Sequence, residues 1–301
     1  MKWVGGKGQL VRKFRNFYPD ELIRGDITHY YEPFLGGGAV FFDIAQKYNV
    51  KSARLYDINE ELILAYRVVQ RDVDKLMEFL YRYKKQYISL NKEKRKEYYY
   101  EIRQNYNLQR FNINYQEYSE NWISRAAQII FLNKTCYNGL FRMNSKGEFN
   151  SPAGDYDNPK ILDSDNLQSV SKLLQIAEIC SVDFRKLNTI DVHDAFVYFD
   201  PPYRPISKTA NFTSYSKHEF RDEEQKELAG VFHQLNEHGI KLMLSNSDPK
   251  NININDNFFD SIYSDYNIYR IPARRMVNSV ASKRGAINEI VVTNYQVSNK
   301  G

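Results

Sequence analysis

The chain has 301 residues, 42% of them hydrophobic, and a formal net charge of +5. This is enough apolar material for one sizeable core, or a core plus an inserted module, and no run approaches the roughly 18 apolar residues of a membrane span. Two cysteines, Cys136 and Cys180, are too few for a disulfide framework and lack metal-ligand spacing; with no signal-like apolar stretch at Met1 to Lys7, the expected compartment is the cytoplasm.

Leu10, Val11, Phe14 and Phe17 recur at helical spacing, which predicts a helix over 9–18. A strand over 29–34 runs into Gly36-Gly37-Gly38, a helix restarts over 39–48, and a second strand covers 52–57: a βαβ unit. The character then changes. Residues 60–106 form a long helix-favouring region with almost no glycine or proline, and a further helix is expected over 122–133. Residues 133–156 are loop-rich, with Asn138-Gly139 and Lys146-Gly147 as turn signals for a hairpin. From Pro159 the α/β rhythm resumes, with helices over 164–174 and 222–238 and strands over 177–182, 195–199, 241–245 and 289–294. The prediction is an α/β domain made of residues 1–60 and 156–301, interrupted by a mostly helical insert at 61–155. Between Glu61 and Asp155 stand 16 lysines and arginines against 11 acids, with 11 of the 24 tyrosines, whereas the remainder is neutral. A basic, tyrosine-rich segment on a neutral body points to nucleic acid.

The predicted strand Ala195 to Phe199 delivers Asp200-Pro201-Pro202-Tyr203 to a sheet edge, where open α/β folds place their chemistry. The prolines fix the backbone and remove two amide donors, so the turn offers a carboxylate and carbonyl oxygens beside a flat ring. That set suits a planar amine whose nitrogen must attack something. Gly36-Gly37-Gly38, between strand and helix, lets backbone approach a ligand. Asp57, 19 residues after Gly38, stands where nucleotide-binding folds place a carboxylate on ribose hydroxyls, although it could equally cap the next helix. A pyrophosphate cradle would want a glycine three positions after Gly38, where Phe41 stands. A nucleoside without a phosphate chain remains, and S-adenosylmethionine is such a ligand.

Lys2-Trp3-Val4-Gly5-Gly6-Lys7, Glu32-Pro33-Phe34-Leu35-Gly36-Gly37-Gly38, the stretch Asn133 to Asn144, Asp200-Pro201-Pro202-Tyr203, and Ser282-Lys283-Arg284-Gly285 through Tyr295 occur in one order. In that order the chain resembles the Dam-type DNA adenine N6-methyltransferases of the D12 class, group alpha, over nearly its whole length. The resemblance implies an α/β fold with a twisted, mostly parallel seven-stranded S-adenosylmethionine-dependent methyltransferase sheet. It also implies an inserted helical DNA-recognition domain carrying a β-hairpin.

By the same resemblance the cofactor is S-adenosyl-L-methionine, held by Trp3, Lys7, Phe34, Gly36, Gly38, Asp57, Ile58, Asp183, Phe184 and Asp200. Asp200, Pro201, Pro202 and Tyr203 carry the catalysis on a flipped-out adenine. The partner is double-stranded DNA at GATC sites, with no membrane association, and the chain acts as a monomer or as a dimer on DNA. Lys2, Tyr137, Asn138, Leu140 and Arg142 contact DNA, with Arg142 reading a guanine and Tyr137 and Asn138 wedging into the stack. The polar stretch Arg204 to Phe220 resembles a lid over the flipped base, and Arg274-Arg275 and Lys283-Arg284 are candidate phosphate contacts. Two other readings stay open: a DNA-binding protein of this fold without turnover, and an amino methyltransferase acting on cytosine N4, RNA or protein glutamine.

Overall fold

The computed structural model describes residues 7–144, 146–189, 194–204, 220–274 and 286–298. In chain order the elements are α1 (Val11–Phe14), α2 (Asp20–Arg24), β1 (His29–Glu32), α3 (Ala39–Lys47), β2 (Ser52–Tyr56), α4 (Glu60–Arg71), α5 (Val73–Ser89), α6 (Lys92–Gln109) and α7 (Asn121–Thr135). They continue with α8 (Ser164–Leu174), β3 (Ala177–Cys180), β4 (Ala195–Phe199), α9 (Asp222–Glu237), β5 (Lys241–Ser247), α10 (Phe258–Ile262), β6 (Asn267–Arg274) and β7 (Ala286–Thr293).

The strands form a seven-stranded sheet in the order β3-β2-β1-β4-β5-β7-β6. Strands β2, β1, β4 and β5 run parallel, while β7 is antiparallel to both β5 and β6. The order reverses direction between β1 and β4, which makes the carboxyl ends of those two strands the topological switch point of the sheet. All five residues of β4 are buried, as a strand covered on both faces requires. Alternation along the strands sorts the core into two layers. Tyr31, Val197, Phe199, Leu242 and Leu244 pack in one cluster with Leu228, Phe232 and Leu235 of α9 and Phe259 of α10. On the other face, rings of Tyr30 and Phe196 meet Phe41 of α3 and Tyr18, and Phe14 of α1 meets Tyr198.

The molecule divides into two compact units. One comprises the described residues of Lys7–Tyr56, Val182–Ser214 and His218–Gly301 and carries β1, β2 and β4 to β7. The other is centred on Asp57–Ser181 and is mainly helical. In the helical unit the expected long helical region is three helices. Asp72 leaves helical geometry after α4, and Asn91 caps α6 by accepting from the Lys94 amide at 2.9 Å. Helix α7 is buried nearly all round, as the axis of a bundle must be. The expected hairpin over 133–156 takes the form of two isolated antiparallel bridges, Cys136 with Ala153 and Met143 with Phe149. The chain reverses at Asn144 to Gly147, where the Gly147 amide reaches the Asn144 carbonyl at 2.9 Å, and not at Asn138-Gly139.

Candidate active site

Asp200 leaves the carboxyl end of β4 at the switch point, with Pro201 buried behind it. Its Oδ1 is 2.9 Å from the Lys7 ammonium and accepts from the Ser245 hydroxyl at 3.3 Å; Ser245, on β5, is itself bonded to the Tyr198 hydroxyl at 2.7 Å. Both contacts fall on Oδ1, so among the described residues Oδ2 is the oxygen left for a new donor. The side chain keeps one-fifth of its surface exposed, enough for a ligand to reach. Burial raises the Asp200 carboxyl above its usual range; Lys7 opposes that rise and Glu289 adds to it. Burial alone would lower the Lys7 ammonium, but Asp200, Tyr203 and Glu289 outweigh it and hold it well above the usual lysine range.

Tyr203 is fixed at its hydroxyl and at one face. The hydroxyl donates to Glu289 Oε1 at 2.7 Å and accepts from Lys7, whose ammonium lies 4.2 Å from the ring centroid. The turn between is tied down from α9: buried Gln225 donates to the Pro202 carbonyl at 3.1 Å, and Asn246 of β5 donates to Gln225 at 3.4 Å. Arg204 closes the exit of the turn, with bonds to Asp222 at 2.6 and 2.9 Å and to Asp256 at 2.7 Å, its guanidinium over the Phe258 ring. Thus the carboxylate and ring expected from the tetrapeptide are present and preorganised. Sequence reading missed Glu289, Ser245, Gln225 and Arg204 as supports. For Glu289 the available signals were its place in the segment Ser282 to Tyr295 that carries the resemblance and its lone charge at the head of the apolar run Ile290 to Val292.

Lys7 therefore sits on the Asp200–Tyr203 turn. Of the other expected cofactor residues, Phe34 and Phe184 lie together, their rings 5.4 Å apart, and Phe220 packs on both at 5.6 Å. Gly36 and Gly38 take left-handed backbone with φ of 46° and 64°, which glycine adopts without strain and which turns β1 into α3. Glu32 accepts from the Phe41 amide at 3.1 Å and from the Tyr30 hydroxyl at 2.8 Å. A protein carboxylate thus meets the first turn of α3, where a phosphate would sit in a dinucleotide site, and Phe41 is fully buried behind it. Asp183 accepts from the Arg185 amide and guanidinium, both at 2.9 Å. Aromatic rings and an open glycine turn without a phosphate cradle fit a nucleoside that lacks a phosphate chain.

Asp57 and Ile58 belong to the helical unit. Asp57 accepts from the Asn59 amide at 2.9 Å, and Asn59, not Asp57, caps α4 through the Leu62 amide at 3.1 Å. Ile58 is half exposed. In the same unit, Tyr137 is exposed, Asn138 holds a left-handed φ of 57°, and Asn133 pins the Gly139 carbonyl at 3.1 Å. Leu140 is half-buried, Phe141 is anchored against Phe149, and exposed Arg142 is steadied by its Nε on Asn150 at 3.0 Å. That bond uses Nε and steadies the stem of an exposed guanidinium. Lys2, Trp3, the stretch 205–219, Arg275, Lys283 and Arg284 lie outside the described residues, as does the Arg274 side chain. Among the described residues no group of acidic, histidine and cysteine side chains could hold a metal ion, and no helix is long and apolar enough to cross a membrane.

A family model described as D12 class N6 adenine-specific DNA methyltransferase matches residues 3–277. The Type II methyltransferase M.MjaIII of Methanocaldococcus jannaschii is 47% identical over 98% of this chain and 98% of its own length. The Type II methyltransferase M1.LlaDCHI of Lactococcus lactis is 38% identical over 98% of this chain and 94% of its length. The DNA adenine methylase of Haemophilus influenzae is 30% identical over 97% of this chain and 91% of its length.

Proposed function

Because the chain belongs to the D12 class N6 adenine-specific DNA methyltransferase family, we propose that it methylates N6 of an adenine flipped out of duplex DNA, within GATC, from S-adenosylmethionine. The observation that carries this reading is the Asp200 carboxylate, held by Oδ1, with Oδ2 without a partner among the described residues, beside the anchored ring of Tyr203.

An adenine amine is a poor nucleophile because its lone pair is delocalised into the ring. Asp200 Oδ2 and the Pro201 carbonyl accept its two hydrogens, which favours a tetrahedral nitrogen with a localised pair. S-adenosylmethionine supplies a sulfonium methyl for that pair to attack, with the carbon–sulfur bond breaking as the carbon–nitrogen bond forms. The amine then sheds one proton, first to Asp200 or directly to water. Fixed acceptors and proximity account for most of the acceleration. The Tyr203 ring stacks on the adenine and returns roughly 1–3 kcal/mol against the few kcal/mol that flipping costs.

For the cofactor, Phe34, Phe184, Gly36, Gly38 and Asp183 are the proposed contacts of the sheet unit, and the resemblance assigns cofactor roles to Lys7, Trp3, Asp57 and Ile58 as well. Residues 1–60 and 156–301 form the catalytic domain and 61–155 the recognition insert. There Arg142 reads a guanine with its exposed guanidinium, Leu140 touches a neighbouring base, Tyr137 and Asn138 wedge into the stack, and Lys2 contacts DNA. The enzyme works in the cytoplasm as a monomer, with a dimer on DNA as the alternative.

Incubation with labelled S-adenosylmethionine and two duplexes, one holding GATC and one with its adenine replaced, tests this. Label recovered as N6-methyladenine from the GATC duplex alone is expected. Label in cytosine, RNA or protein, or in neither duplex, would overturn the substrate assignment.

A further inference from the structure

Glu289 is a buried carboxylate that the reaction as described does not use. It lies on antiparallel β7, opposite Ser247 of β5 and Ile271 of β6, and it comes from the far end of the chain relative to Lys7. Its two oxygens have different duties. Oε1 accepts from the Tyr203 hydroxyl at 2.7 Å, whereas Oε2 is buried 3.3 Å from the Lys7 ammonium with no hydrogen bond among the described residues. Lys7 Nζ thus stands between two carboxylates, closer to Asp200 at 2.9 Å than to Glu289. A buried carboxylate oxygen without a well-aligned hydrogen bond is costly, and Glu289 Oε2 is compensated here by the charge of the Lys7 ammonium alone among the described residues.

Resting on the methyl-transfer reading above, we propose that Glu289 is a positioning residue: it draws the Lys7 ammonium toward β7 and fixes the Tyr203 hydroxyl, so that Asp200 and the far face of the ring are presented together to the target base. Two carboxylates sharing one cation leave Asp200 only partly neutralised, and a partly neutralised carboxylate is the better acceptor for an amine hydrogen. With the cation on one face of Tyr203, the base stacks on the other face. A neutral side chain at 289 would let Lys7 settle wholly on Asp200 and quench it as an acceptor.

Glu289→Gln is the informative substitution, since the amide oxygen still accepts from Tyr203 and only the charge facing Lys7 is lost. At saturating duplex and cofactor, kcat is expected to fall roughly tenfold or more, with the duplex Kd unchanged and Glu289→Asp recovering part of the rate. Among the described residues the groups facing Asp200 are Lys7, Tyr203, Glu289, Ser245 and Tyr198. Removing the like charge at 289 moves the Asp200 titration, read by carboxyl carbon NMR on the free protein, to lower pH, and the acid limb of kcat moves with it. An unchanged kcat together with an unmoved Asp200 titration would overturn the proposal. The NMR readout needs neither DNA nor turnover. A wild-type protein that methylates no DNA but whose Asp200 titration still shifts in Glu289→Gln would refute the substrate reading and leave the Lys7 clamp supported.

Discussion

Each compact unit holds a buried ion pair, and the two are built to different ends. In the helical unit Arg125, in the middle of α7, donates from Nε to Glu61 at 3.1 Å, from a second nitrogen to the other Glu61 oxygen, and from the third to the Tyr106 carbonyl. Its guanidinium lies 3.5 Å from the Tyr106 ring centroid, and the Tyr115 hydroxyl donates to Glu61 at 2.6 Å. Each guanidinium nitrogen and both Glu61 oxygens have a partner, so the pair is closed, and it fastens α4 to α7. In the sheet unit Lys7 is divided between Asp200 and Glu289, Glu289 Oε2 has no hydrogen bond among the described residues, and Asp200 still touches solvent. A closed buried pair is architecture, whereas an open one is a site waiting for a partner.

The comparison breaks most directly if the helical pair can be opened without harm. Arg125→Ala is expected to cost about 3–5 kcal/mol of stability, because the Glu61 carboxylate is left buried alone; denaturant unfolding measures it. Replacing both partners, Glu61→Leu with Arg125→Met, should cost far less than the single change and leave the rate of methyl transfer intact. The sheet pair should behave oppositely. Lys7→Met is expected to leave the fold standing and lower methyl transfer by roughly 100-fold. With its cation gone, the Asp200 carboxyl rises further, so the acid limb of the pH–rate profile moves to higher pH, opposite to the shift expected for Glu289→Gln. The smallest effect belongs to an exposed side chain. Arg142→Ala should relax discrimination at one base of the site by about 1–3 kcal/mol, read from initial rates on duplexes that each differ by one base pair, with the other positions unaffected.

The parts of this arrangement that sequence made legible are those set by local chemistry. Strand β4 and helix α8 fall on the residues expected, because an unbroken apolar run before two prolines and a clean amphipathic stretch leave little choice. Strand β6 was not foreseen: Pro272 and the polar Asn267 and Arg270 disguise it, and they are tolerated because β6 is the edge strand, paired only with β7. The breaks at Asp72 and Leu90 in the helical region carry no glycine or proline, so periodicity alone ran the helices together. Within the site, Asp200 and Tyr203 announced themselves through the prolines between them. Glu289 and Gln225 reach the same spot from a late strand and a late helix, and no spacing along the chain encodes a meeting made by the folded sheet. The direct turn signal at Asn138-Gly139 was real as backbone chemistry, since both residues adopt left-handed φ, but it forms a short turn after the end of α7 at Thr135 instead of reversing a hairpin.

The central claim, that the turn after β4 performs chemistry and does not merely hold DNA, is tested most directly with Asp200→Ala. Single-turnover methyl transfer and equilibrium binding to a GATC duplex would be measured on the same preparation. The account predicts that transfer falls by roughly 10²–10⁴-fold while the duplex Kd stays within a few-fold of wild type. A variant that transfers methyl groups at the wild-type rate would contradict it.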